Sequence, residues 1–338
     1  MSPCIRVYPQ LGSFRGVREA QSGDPLGTLN VKCWLGEPTY RSGVVQLNTK
    51  PYSRRRILLS AASTTALLSA SKLAPMSVMA QDGDYPEVTV IATEYAFEME
   101  ATTVGGFNRL VMDNQGMEDH HAILFRINDD ATMDDFQNAL MSGDIGSLLE
   151  VSSAYGGPNV GPGGTSSVVA FLDPGMYMAV CVVPDADGIP HVAHGMIAPL
   201  EVTESDSDLE APETTGSISL IDMDFVGLPE SVDAGDHVWE VSNDGAQLHE
   251  IAVLRLADGL TVDDVFGLLT GEPTEALAAV EGPPFVSIGG TAPKSQFAVN
   301  YLEISLEAGT HVAICFIPDI ESGMPHFMMG MIAQFEVV

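Results

Sequence analysis

The sequence predicts an all-β fold: two tandem Greek-key β-sandwich domains, each with a short helical insertion. Three observations lead there. Residues 82–202 and 216–338 carry the same succession of motifs, so the chain repeats one unit twice. Within each repeat, apolar and polar residues alternate over short runs bounded by Gly, Pro, Asn and Asp, the pattern of half-buried strands. One segment per repeat instead opens on Thr followed by acids, the pattern of a helix start. Many short strands with one helix between them bury their apolar faces best as sheet on sheet.

The elements follow in order. Each repeat begins with an alternating strand, Glu87-Val88-Thr89-Val90-Ile91-Ala92 in the first and Ser217-Ile218-Ser219-Leu220-Ile221 in the second. Strands over 110–114 and 238–243 then lead into Asn-x-Gly and a His. After the His, 122–127 matches 251–256 as a strand, and 132–140 matches 261–269 as a helix capped by Thr132 or Thr261. A Gly/Pro-rich loop, a β-rich run and a turn, Asp173-Pro174-Gly175 or Glu307-Ala308-Gly309, lead to a strand that ends in Cys181 or Cys315. Residues 203–215, acidic and containing Ser, Thr and Pro, have nothing to bury and read as a linker.

Four residues recur in both repeats in one order: His120, Cys181, His191 and Met196, then His249, Cys315, His326 and Met331. CVVPDADGIPHVAHGMIAPLEV, from Cys181, and CFIPDIESGMPHFMMGMIAQFEV, from Cys315, differ in length by one residue inserted before the His. Cys or Met alone is an ordinary core residue. All four kept twice point instead to metal ligation, and a soft thiolate, two imidazoles and a weak thioether are the donor set of type 1 (blue) copper. A sandwich that fills its core with the same residues and binds no metal is the competing reading. His121 follows His120, but its counterpart is Glu250, and strand alternation turns it to the other face. His194 corresponds to Met329 and reads as a loop residue beside the site, with ligation as the alternative. Met117, Met328 and Met329 read as gap-fillers, with soft Cu(I) contact as the alternative. His237 and His311 fall in strand patterns and read as surface or edge histidines. Trp239 and Tyr177 read as core aromatics beside the site, with electron entry as the alternative, and Arg126 and Arg255, at matching positions, as salt-bridge partners of nearby acids.

Three segments carry a resemblance. Asn243-Asp244-Gly245-Ala246-Gln247-Leu248-His249, then Gly309-Thr310-His311-Val312-Ala313-Ile314-Cys315, then His326-Phe327-Met328-Met329-Gly330-Met331 resemble the cupredoxin (blue copper) family, and repeat one shows the same three segments. The Gly-x-aromatic-x-x-x-Cys strand of repeat one and the His-x4-Met ending are similar to plastocyanin-like proteins. The Cys-to-His loops, nine residues in repeat one and ten in repeat two, are more like the type 1 site of copper nitrite reductases. The resemblance implies tandem cupredoxin-like domains. In each, Cys181 or Cys315 would supply the thiolate, His120 with His191 or His249 with His326 the imidazoles, and Met196 or Met331 the weak axial ligand. It also implies one or two copper ions and single-electron transfer. In the enzymes of that group a His beside the Cys passes electrons to a second copper centre. Here Val180, Val182, Ile314 and Phe316 stand there, and no His-x-His or His-Cys-His pair occurs, so an electron carrier is expected rather than a catalyst. A copper nitrite-reductase-like enzyme and a copper carrier are the further alternatives.

Composition adds a location and a kind of partner. Residues 1–80 hold ten of the 14 Lys and Arg. Ser53-Arg54-Arg55-Arg56-Ile57-Leu58-Leu59 opens an Ala/Ser/Thr/Leu stretch ending in Val78-Met79-Ala80, which reads as a twin-arginine-type signal cleaved before Gln81. The stretch is too short and hydroxyl-rich for a good membrane span, so the mature protein is expected to be exported: periplasmic, extracellular or at the cell surface. An uncleaved anchor is the other reading. Residues 1–52 show no periodicity and read as a long n-region or a misassigned start. Beyond residue 80 only Arg109, Arg126, Arg255 and Lys294 are basic, against 43 acids. Such a surface repels nucleic acid and anionic lipid, and it suits a cationic redox partner or a high-salt environment that screens its self-repulsion. Cys4 and Cys33 precede the cleavage point. Cys181 and Cys315 each end an interior strand of their own repeat, so no disulfide between them is expected.

Overall fold

A computed structural model describes residues 85–338; the leader, Cys4 and Cys33 lie outside them. The first half contains β1 (Glu87–Thr93), β2 (Ala96–Met99), β3 (Thr102–Val104), β4 (Gly106–Asn114), β5 (His120–His121), β6 (Ile123–Ile127), α1 (Met133–Ser142), α2 (Ile145–Val151), β7 (Ser152–Ala154), β8 (Asn159–Val160), β9 (Thr165–Leu172), β10 (Gly175–Val180) and β11 (Ile197–Thr203). The second half repeats the series as β12 (Gly216–Ile221), β13 (Asp224–Val226), β14 (Ser231–Val232), β15 (Gly235–Asn243), β16 (His249–Leu256), α3 (Val262–Thr270), α4 (Glu275–Ala279), β17 (Phe285–Lys294), β18 (Val299–Leu306), β19 (Gly309–Ile314) and β20 (Ile332–Val337). A single 3-10 turn, His191–His194 or His326–Met329, precedes the last strand of each half. Among these residues no helix is long and apolar enough to cross a membrane.

Each half is a sandwich, as the strand patterns predict. Its own five-stranded sheet runs β3-β11-β10-β6-β7 in the first half and β14-β20-β19-β16-β17 in the second. Alternation then sets the core: Val88, Val90, Leu110 and Met112 of β1 and β4 face Leu124, Ala179 and Leu200 of β6, β10 and β11 in one apolar cluster. α1 and α3 start as predicted, with Thr132 and Asp135, and Thr261 and Asp264, closing capping boxes.

The opposing sheets are not separate. They merge into one sheet of eight strands, β13-β12-β15-β18-β9-β4-β1-β2, through the antiparallel pair β9–β18. In that pair Val168 stands opposite Leu302, Ser167 opposite Glu303 and Val169 opposite Tyr301. Counted from the turn that follows each strand, 168 and 302 are equivalent positions, so the repeats meet at matching residues. Polar groups close the seam: Arg109 donates from Nε and Nη2 to Glu303 at 3.0 Å each, and Ser167 donates to the same carboxylate at 2.6 Å. Asn300 Nδ2 donates to Tyr155 O at 2.9 Å.

Candidate metal centres

The first predicted ligand of each set is placed by an asparagine. Asn114 is fully buried; its Nδ2 donates to Glu118 O at 2.8 Å and its Oδ1 accepts from Gly116 N at 2.9 Å. Asn243 repeats both bonds, to Gln247 O at 2.7 Å and from Gly245 N at 3.0 Å. The loop is thereby folded so that the His ring lies over the glycine. A Cβ on Gly116 would stand 2.9 Å from His120 Nε2, and one on Gly245 2.6 Å from His249 Nε2. The Asn-x-Gly-x3-His spacing is thus the geometry of one closed loop.

The other predicted ligands come from the turn between the last two strands. Cys181 N donates to Met196 O, Val192 N to Cys181 O and Met196 N to His191 O. Cys315, Phe327, Met331 and His326 form the same three bonds. His191 N bonds Val183 O at 2.9 Å, and His326 N bonds Ile317 O at 2.8 Å. The extra residue of the second loop therefore leaves this clamp unchanged. It is absorbed between Asp319 and Met324, where Asp319 N donates to Met324 O.

The structure brings three predicted ligands of each set together: His120, Cys181 and His191, and His249, Cys315 and His326, with donor atoms within 4.8 Å of one another and all six residues buried. Among the described residues, these are the groups of three or more such donors able to hold a metal ion. In the first, the two Nδ1 atoms are 3.1 Å apart and lie 3.8 and 3.4 Å from Cys181 Sγ. In the second, His326 Nδ1 lies 3.5 Å from Cys315 Sγ, and His249 Nδ1 is buried without a protein partner. Met196 and Met331 are fully buried and tied by their backbones to the same Cys and His residues.

The electrostatics suit a cation. Burial pushes the Cys181 thiol up to about 12 and raises Cys315 as well, while amide N–H groups of His121 and Val183 point at one sulfur and those of Glu250 and Ile317 at the other. Amide donors favour the thiolate, so the thiols are held neutral by burial first and by the nearby carboxylates of Asp119 and Glu118, or of Glu250, second, and a bound cation would displace the proton. Burial, with the neighbouring imidazole second, lowers His120 and His326 to about 4. His191 and His249 are lowered by burial too, against the pull of Glu118 and Asp222. All four rings are neutral near pH 7 and have a lone pair to offer. The donor set fits a thiophilic transition metal, and the orphaned His249 Nδ1 is the kind of buried atom such an ion satisfies.

The remaining sequence expectations sort as follows. His121 turns away from Cys181, as alternation predicts, and its Nε2 lies 3.4 Å from Glu250 Oε2. His194 stays outside the donor group, with Nε2 2.8 Å from Asp185 Oδ2 and its ring against Tyr95. Tyr177 and Trp239 are core aromatics, and Cys181 and Cys315 are free thiols. Arg126 pairs with Asp129 and Arg255 with Glu307, and each also bonds a carbonyl of the turn before the Cys strand. His311 is a correction: it is fully buried, not at a surface or edge, and its ring stacks on Phe335 at 5.3 Å. β19 lies between β16 and β20 and so is not an edge strand, and its last four residues are all buried, so both of its faces are covered.

Sequence reasoning missed the carboxylates behind the rings. Glu118 Oε2 lies 3.0 Å from His191 Nε2, and Asp222 Oδ1 lies 2.9 Å from His249 Nε2. Such contacts orient a ligand ring and raise its basicity. The signal was available for Asp222, because Glu94 occupies the matching place before a residue of positive φ, Tyr95 or Met223, in both repeats. Glu94 accepts from Met117 N as Asp222 accepts from Ala246 N.

No family model matches this chain, and no curated protein matches it in sequence. Among solved structures it is similar to a dithionite-reduced auracyanin from the photosynthetic bacterium Roseiflexus castenholzii, at 19% identity and a TM-score of 0.25 over 36% of this chain and 99% of that one. It is also similar to a multicopper oxidase, at 13% identity and 0.22 over 75% and 88%, and to a copper nitrite reductase from Nitrosomonas europaea, at 13% identity and 0.21 over 75% and 93%.

Proposed function

We propose that this protein is an exported carrier of single electrons that binds type 1 copper at two centres, one per repeat. One observation carries the reading: in each half a buried thiol and two imidazole nitrogens converge on one point, on a loop clamped by the same backbone bonds. Copper bound there supplies a one-electron couple. His120, Cys181 and His191, or His249, Cys315 and His326, would hold it, with Met196 or Met331 as the weak axial ligand. The chain's part is rigidity. The buried Asn loops and the clamped Cys-to-His turns keep the donors in place, burial excludes water, and Glu118 and Asp222 fix ring orientation. The acidic surface suits a cationic redox partner, met at near-neutral pH and with an ionic-strength-dependent rate. The twin-arginine-type leader supports export.

The test is a visible and electron-paramagnetic-resonance spectrum of the copper-loaded protein, with metal counted per chain. An intense thiolate-to-copper band at two coppers per chain is expected. Copper bound without such a band would overturn the type 1 reading. Absence of bound copper, with no rise in thermal stability on adding it, would leave a metal-free binding module, since any ligand of the native state alone must stabilise it.

A further inference from the structure

Between the two thiols lies a short polar connection that neither centre needs for its own ligand set. The backbone N–H of His121 donates to Cys181 Sγ at 3.4 Å. The backbone N–H of Glu250 is directed toward Cys315 Sγ. Across the seam between the repeats, the two side chains meet, His121 Nε2 to Glu250 Oε2 at 3.4 Å, with side-chain exposures of only 12% and 0%. Glu250 has a second tie to the same centre, because its Oε1 accepts from Phe316 N at 2.9 Å. Each of the two residues directly follows a His ligand, and the two occupy equivalent positions in their repeats. The route from sulfur to sulfur therefore runs through only one histidine and one glutamate, joined by a 3.4 Å side-chain contact across the seam and by an amide directed at each sulfur.

We propose that His121 and Glu250 form the bridge through which an electron passes between the two centres, so that the protein works as one two-electron reservoir rather than two independent carriers. The inference rests on the copper reading above. In the step, Cu(I) at one centre is oxidised to Cu(II) while Cu(II) at the other is reduced to Cu(I). One electron moves, no bond is made or broken, and no proton leaves the bridge. The side chains are suited to this because both are buried and Glu250 is held by Phe316 N, so water does not interrupt the contact.

The experiment uses the full copper-loaded protein with one electron delivered per chain by pulse radiolysis, and follows redistribution between the centres after each has been resolved by its band and potential. His121→Phe removes Nε2 while keeping an apolar ring, and Glu250→Gln keeps a side chain able to bond both His121 and Phe316 N. The expected result is that exchange slows on the order of tenfold in His121→Phe, the effect of cutting one link in a contiguous network. Glu250→Gln stays near wild type, and both bands persist in each variant. Equal exchange rates in wild type and His121→Phe, with both bands intact, would overturn the bridge and leave the copper reading standing. Loss of the bands in wild type would remove both. Should His121→Phe fail to fold, His121→Gln, which retains a polar tip of similar reach, must exchange faster than His121→Leu; no difference between those two overturns the bridge as well.

Discussion

At the scale of single residues, the six converging donors were legible because three chemically unusual residue types keep their order twice. Their supports were not. Glu118 is one among 43 acids beyond residue 80, and nothing local distinguishes an acid under an imidazole from one in water; Asp222 stood out only by its match to Glu94 across the repeats. His311 was misread for a related reason: alternation tells which face a side chain is on, not whether a second sheet covers that face. Two expectations belong here. Cys181→Ser should abolish the thiolate-to-copper band of the first centre and leave that of the second, and Cys315→Ser the reverse, as absorbance per bound copper will show. His311 has its proton affinity lowered chiefly by burial, then by Arg255, against Gly309 O, Glu336 and Glu307. The unfolded chain therefore takes up a proton that the folded one refuses. Stability is complete above the ordinary value of 6.5 and falls as pH drops through it toward the lowered folded value. His311→Phe, which keeps the stack on Phe335, should flatten that part of the acid limb in melting temperature against pH.

At the scale of elements, strand alternation and helix caps carried over well. α1 and α3 begin where Thr132 and Thr261 place them, and each ends at a glycine in the left-handed region, Gly143 or Gly271. The short helices α2 and α4 were not foreseen, because a helix of 7 or 5 residues has too little period to stand out from a Gly/Pro-rich loop. Thr132→Ala removes the acceptor of Asp135 N and the partner of the Asp135 carboxylate. Its expected cost is about 1 kcal/mol, read as faster amide exchange in α1 with the copper spectra unchanged.

At the scale of the whole molecule, the repeat was visible in sequence but the merged sheet was not, since an open strand edge gives no sign of what it will pair with. In hindsight the basic residues mark the joint. Of the four in the described region, Arg109 and Lys294 are buried against it and Arg126 and Arg255 brace the turns before the Cys strands. Because one sheet runs through both halves, calorimetry should show a single unfolding transition rather than one per repeat. Arg109→Ala, which strands the buried Glu303 carboxylate, should cost about 3–5 kcal/mol in urea unfolding, and Arg109→Met with Glu303→Leu should recover most of it. The meeting of equivalent residues at the β9–β18 seam has one more consequence. Two separate copies of one repeat, joined the same way, would be held to a self-complementary contact in which residue 121 faces its own twin, acid against acid or imidazole against imidazole. Covalent fusion lifts that constraint: the two copies diverge, and a base on one side can face an acid on the other, which no symmetric dimer can arrange at its own axis.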